Sequence, residues 1–281
     1  MLGIASELCP RGLGDRYNKL MVASGVPSAR RKLARALMHA DSLRAEVDDF
    51  RAKDPYEFDI KSLGNAPGEP DFRVLVKVAR GEPVPESWSL MTGDFLTNAR
   101  AVLDHAIYQH VRAQNPAMPP HRIQYPIYDN AHDFASKTSG RFSTNVLRLI
   151  EDAQPYQSAD PSGHPFRILR DLVNIDKHRD LVVANYSIGE FEITPNDLFE
   201  IVSTKAFVQA AMVPGATVAR AHLRLVQKVE GTRPMQFPCN VLYRETIEIP
   251  GMADPGGLLQ AIECVKGALG PHLDDLEAAG C

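Results

Sequence analysis

Apolar residues in this chain recur at two different periods, and the change of period divides it. After Ser28, a plausible N-cap, Leu33, Leu37, Ala40, Leu43, Val47 and Phe50 repeat at helical spacing. Around residues 71–79 the spacing drops to two, with Phe72, Val74, Val76 and Val78 alternating with Arg73 and Lys77. Residues 56–62 and the turn-forming composition at 65–70 complete a predicted hairpin. Helical spacing returns over 92–113, opened by Thr92 or Asp94, and over 165–179, where Pro165 falls at a tolerated first-turn position. Between them, Ser143 or Thr144 is expected to cap a short helix that finishes by Pro155. From Leu181 the period is again two, predicting strands at 181–188, 190–194, 198–203, 217–228 and 239–248. A final helix is expected over about 256–276, with Pro271 as a point of kinking or breakage.

The order helix, hairpin, three helices, several strands and a last helix predicts an α+β fold: a helical bundle packed on one face of a mostly antiparallel sheet. Residues 1–27 lack periodicity and are expected to form a loosely ordered arm. Residues 28–281 are read as a single α+β domain, with a helical core at about 90–180 and a strand-rich part at about 181–250.

Two of the predicted helices carry more polar chemistry than packing requires. In the first, Leu96, Ala99, Leu103, Ala106, Ile107 and His110 share an arc, while Asn98 and His105 fall on the opposite side. Arg100 and Asp104, spaced i,i+4, border the two faces and can pair. In the second, Phe166, Leu169, Leu172 and Val173 form the apolar arc, and Arg170, Asn174 and His178 a polar stripe. Asp176 falls inside that apolar arc. A carboxylate there is costly unless a cation meets it, so it is expected to be buried and paired with Arg100, or else with His105 or Arg179.

Composition narrows the function classes. A formal charge of −4 argues against non-specific nucleic-acid binding by the chain as a whole, though a local basic patch stays open. Cys9, Cys239, Cys264 and Cys281 show no metal-binding or disulfide spacing, which points to a reducing compartment. No membrane-length apolar run and no signal-peptide pattern is visible, so a cytoplasmic location and no membrane partner are expected. Phosphate-binding Gly-rich loops, nucleophile elbows, zinc-protease motifs and calcium loops are all missing from the sequence, and no cofactor is expected. Arg30, Arg31, Lys32 and Arg35 open the first helix, and read either as a solvated face or as a phosphate-contacting patch. The Arg220, His222 and Arg224 strand face reads as solvated or as a contact for an acidic partner.

Asn98-x-Arg100-x-x-x-Asp104-His105, Tyr125-Pro-Ile, Gln154-Pro-Tyr156, His164-Pro and Asn174-x-Asp176-Lys177-His178-Arg179 are similar to a motif set in bacterial and phage proteins. That likeness covers about residues 90–180 and singles out these residues without naming a reaction. Arg100-x4-His105 also resembles the signature of the HEPN superfamily, helical domains that often act as metal-independent RNases in defence systems. The resemblance implies Arg100 and His105 as catalytic residues, RNA as partner and a homodimer that completes the site. An imidazole would move the 2′-hydroxyl proton and a guanidinium would hold the scissile phosphate. Ala101 stands where such enzymes commonly carry a polar residue. In this reading Asn98, Asp104, Asn174, Asp176, His178 and Arg179 are the binding set. Two other readings remain open. Arg100, Asp104, Asp176 and His178 form a buried network that fixes a helix crossing, or His105 and His178 join Asp104 or Asp176 around a metal ion.

Overall fold

The computed structural model describes residues 25–63, 71–194, 197–226, 239–252 and 256–281. Most of the expected N-terminal arm and the turn at 65–70 lie outside the described residues. The fold is α+β, with helices packing on sheet strands.

The centre is a pair of long antiparallel helices, α1 (Val26–Arg51) and α2 (Ser87–Gln114). Their direction follows from the contacts: Ser28 meets His105, Lys32 meets Asn98, and Ser87 meets Glu46. Ala29, Ala36, Ala40, Ala99 and Ala106 are all buried, and side chains this small let two backbones approach closely. Gly25 makes the entry. Its φ of +80° suits glycine, and a Cβ there would meet Gln109 Cγ at 3.1 Å. Ser28 is therefore not the cap but a buried residue inside the first turn, with Gly25 in the cap position. α2 likewise begins five residues before the expected Thr92. Thr92 therefore lies inside the helix, where its hydroxyl donates to the Trp88 carbonyl one turn back at 2.6 Å.

Around this pair sit α3 (Ala131–Thr138), α4 (Thr144–Asp152), α5 (Pro165–Asp176) and α6 (Leu258–Ala278). The ring nitrogen Nδ1 of His164 caps α5 by accepting from the Phe166 N–H at 3.2 Å, just ahead of Pro165. α2 packs against α5 and α6, as its second apolar flank (Phe95, Val102) requires. α6 continues through Pro271 instead of ending there.

The strands form two antiparallel sheets instead of the one expected. The first has the order β1-β2-β5-β4, from β1 (Tyr56–Ser62), β2 (Asp71–Gly81), β4 (Phe199–Ala206) and β5 (Thr217–Leu225). The second is β3-β6-β7, from β3 (Val183–Ile193), β6 (Cys239–Ile247) and β7 (Gly256–Gly257). The two strands expected at 181–188 and 190–194 are the single β3, whose register slips between Ser187 and Phe191. Gly189, at φ +84°, lies in that slip, so the break in alternation marks a bulge and not a turn. Val76 and Val78 of the first sheet join the main core with the helices. Phe72, Val74 and Leu223 pack with Ile193 of β3 in a smaller cluster. No helix among the described residues is long and apolar enough to cross a membrane.

Candidate functional site: a basic cleft beside α2

Residues 123–128 run as an extended segment along α2, yet no strand among the described residues pairs with them. Side chains supply the hydrogen bonds that a neighbouring strand would otherwise give. Asp104 Oδ1 accepts from the Tyr125 N–H at 2.8 Å, and Arg100 Nη2 donates to the Tyr125 carbonyl at 2.7 Å. Arg100 and Asp104 are themselves paired at 2.9 Å. Gln154, fully buried, donates to the Pro126 and Ile150 carbonyls and accepts from the Tyr128 N–H at 2.8 Å. Because each of these backbone groups would cost free energy if left unmet, the segment is held in one place.

The Tyr125 ring faces inward. Its hydroxyl lies 2.6 Å from His272 Nε2, and the ring packs edge-on against Phe166 and His272. Burial pushes the Tyr125 hydroxyl well above the usual phenol range and holds His272 down at about 4. The tyrosine is thus the donor and Nε2 the acceptor, a neutral pair suited to a dry interior.

The outer side of this segment is the floor of a cleft of about 300 Å³. Arg100, Arg122, Arg141, Arg170, Asn174 and Lys177 line its walls, with Gln124 and Tyr128 on the floor. The cations differ in how they are balanced. Arg100 is committed to Asp104, and Arg170 pairs with Asp171 at 2.7 Å and Asp129 at 3.0 Å. Arg122, Arg141 and Lys177 make no ion pair among the described residues.

The residues singled out in the sequence therefore separate. Arg100, Asp104 and Asn174 line the cleft. His105 sits on another flank of α2, where Nδ1 lies 2.8 Å from the Ser28 hydroxyl. Burial, and then nearby Lys32, lower its pKa. Asn98 also faces α1, accepting from Lys32 Nζ at 3.4 Å. Five residues along a helix rotate a side chain by about 140°, so Arg100 and His105 cannot share one side of α2. His178 and Arg179 are exposed beyond the end of α5.

The expected Asp176–Arg100 pair does not form. Asp176 is half-buried, makes no ion pair among the described residues, and packs against Gly93, where a Cβ would meet Oδ1 at 2.6 Å. Burial, then Asp94 and Asp180, raise its pKa. Among the described residues no group of three or more His, Cys, Asp or Glu is placed to hold a metal ion. At the basic start of α1, Arg30 pairs with Asp274 at 2.7 Å and with Glu277 at 2.5 Å on α6, and Lys32 donates to Asn98 at 3.4 Å.

Arg122 and Arg141 are not marked by the sequence patterns. Arg122 and Arg141 come from irregular segments without periodicity, and Lys177, although a named residue of the Asn174-x-Asp176-Lys177-His178-Arg179 motif, is given no role there. The sequence signals were the motif that holds Lys177 and, for Arg122, proximity to Tyr125-Pro-Ile. The chain matches no family model, no curated protein and no solved structure, so the geometry of the cleft is the basis on which it is read.

Proposed function

We propose that this cleft binds single-stranded nucleic acid, with RNA as the first ligand to test. The observation that carries the reading is the trio Arg122, Arg141 and Lys177, which has no acidic partner among the described residues and faces a rigid polar floor. Guanidinium groups suit phosphodiesters because their planar forks bind phosphate oxygens in pairs. Tyr128 offers a partly exposed ring for base stacking, and Gln124 and Asn174 offer edge hydrogen bonds. The local positive field operates despite the chain's net charge of −4.

Arg100 and Asp104 shape the floor of the site, in keeping with the alternative of a fold-stabilising pair. Cleavage by Arg100 and His105 needs a second copy of the chain, because within one copy the two residues face different neighbours. Binding is the part of the reading that the geometry favours.

The test is fluorescence anisotropy with a labelled uridine-rich strand at two salt concentrations. Arg141→Ala/Lys177→Ala should weaken binding about ten-fold near 0.1 M salt and flatten the salt dependence by about 1.4 in log–log slope, the effect of two lost phosphate contacts. A parent protein that does not bind, or a double variant that binds like the parent, overturns the proposal. In the same tubes, cleavage in the presence of EDTA that is abolished by both Arg100→Ala and His105→Ala would establish the RNase activity. Intact RNA would exclude it.

A further inference from the structure

The outer face of the first sheet carries its charges in rows, and the rows are not equally balanced. At one end Asp71, Arg224 and Glu200 lie in register on β2, β5 and β4. Arg224 is met by Asp71 at 2.6 Å and by Glu200 at 3.1 Å, a neutralised set of the kind expected on a solvated face. The next row is Arg73, His222 and Ser203, where His222 leans back to Asp71 at 3.3 Å. The third row crosses every strand of the sheet as Lys61, Leu75, Arg220 and Lys205.

In these last two rows Lys61, Arg73, Arg220 and Lys205 are exposed, and none makes an ion pair among the described residues. Arg220 and Lys205 are register partners on adjacent strands, an arrangement of like charges that destabilises a sheet. The same region is concave, with a volume of about 460 Å³, and its apolar surface comes from Leu63, Leu75 and Phe207. Leu63 is 59 % exposed although it borders the groove. Unbalanced cations around exposed apolar side chains, two residues from a neutralised row on the same strand, are poorly explained by solubility alone.

We infer that this sheet face is a binding surface for a single-stranded nucleic acid, separate from the cleft beside α2 and argued independently of it. Strands lie ~4.8 Å apart, so the row from Lys61 to Lys205 spans roughly 14 Å, enough for successive phosphates of an extended strand. Leu75 and Phe207 give an apolar floor on which unstacked bases can lie, a contact that tolerates any sequence. An acidic peptide would satisfy the cations but gains less from a floor of this kind. A duplex would present its bases buried in its own stack.

Arg220→Glu is the decisive variant, because it converts the Arg220–Lys205 repulsion into an attraction and should melt no lower than the parent. A labelled uridine-rich strand is titrated against the parent, Arg220→Glu and the cleft variant Arg141→Ala/Lys177→Ala. The proposal expects Arg220→Glu, introduced into the cleft variant so that only the sheet surface is read, to bind at least about ten-fold more weakly than the cleft variant near 0.1 M salt. It also expects photo-crosslinking from 4-thiouridine to reach the peptide holding Phe207. Loss of binding in the cleft variant alone, with Arg220→Glu unchanged, overturns the sheet surface and leaves the cleft. Loss in Arg220→Glu alone does the reverse. A parent that binds no RNA, or that binds a poly-glutamate peptide more tightly than RNA, also overturns it.

Discussion

At the scale of single residues, Asp176 shows how a helical wheel can identify a costly group and still mistake its partner. The wheel places it in the arc of Leu169, Leu172 and Val173, and it is indeed half-buried against Gly93. No cation among the described residues pairs with it, and Arg100 is taken by Asp104 and the Tyr125 carbonyl. Its neighbours are Asp94 and Asp180, and it stands at the last residue of α5, where the helix dipole also opposes a negative charge. A carboxyl whose pKa is raised in the folded state binds its proton more tightly there than in the unfolded chain. Stability therefore falls as pH rises through the window between the ordinary and the raised value, and the ionised group is a liability above it. Asp176→Asn keeps the shape and removes the charge. It should raise the melting temperature at pH 7 by ~1–3 °C, with the gain vanishing below about pH 4. A variant that melts lower than the parent at pH 7 would mean that the carboxylate has a stabilising partner after all.

At the scale of elements, the segment 123–128 is the feature on which the cleft depends. Its backbone bonds go to Asp104, Arg100 and Gln154 instead of to a strand. Asp104→Ala removes the acceptor for the Tyr125 N–H and strands the Arg100 guanidinium, so it should cost about 2 kcal/mol. The sharper readout is hydrogen exchange, in which the Tyr125 amide should lose protection while amides in the middle of α1 keep theirs. Equal protection at Tyr125 in variant and parent would show that the segment is held by packing alone. Part of this site was legible in the sequence. The i,i+4 spacing of Arg100 and Asp104 announced their pairing, and the motif set singled out Tyr125-Pro-Ile. What the pair holds was not legible, because a helical wheel describes one helix and says nothing about a loop that crosses it. Arg122 and Arg141 stayed hidden for the same reason: they come from irregular segments with no period, and nothing in the α5 pattern shows that Lys177 meets them.

At the scale of the whole molecule, periodicity identified the helices other than α3 and most strands, and the α+β class followed from their order. Pairing was beyond its reach. Alternation in β2 and β5 shows one buried face on each, but not that β5 lies between β2 and β4 or that β3 leaves for a second sheet with β6. Those choices rest on contacts between residues far apart in the chain, and one of them ties the helical layer to the second sheet. Arg51, the last residue of α1, donates Nε to Glu245 Oε1 at 2.8 Å and Nη2 to Oε2, in the two-pronged geometry that suits a carboxylate. Glu245 lies on β6 and is 1 % exposed, whereas the Arg51 side chain remains 42 % exposed. Beside the pair, Asn185 of β3 donates to the Tyr56 hydroxyl at 2.8 Å, and the Tyr56 ring meets Tyr243 edge-on. Arg51→Ala leaves a sealed carboxylate without its cation. The expected loss is about 3 kcal/mol, at the low end for a broken buried pair because the arginine is itself partly in water. Replacing both partners, as Arg51→Met with Glu245→Leu, should recover most of that loss, since apolar side chains of similar volume leave nothing unpaired. Urea unfolding of the parent and both variants decides it. If Arg51→Ala unfolds at the same midpoint as the parent, α1 is held to the second sheet by packing around Phe50 and Tyr56 and not by charge.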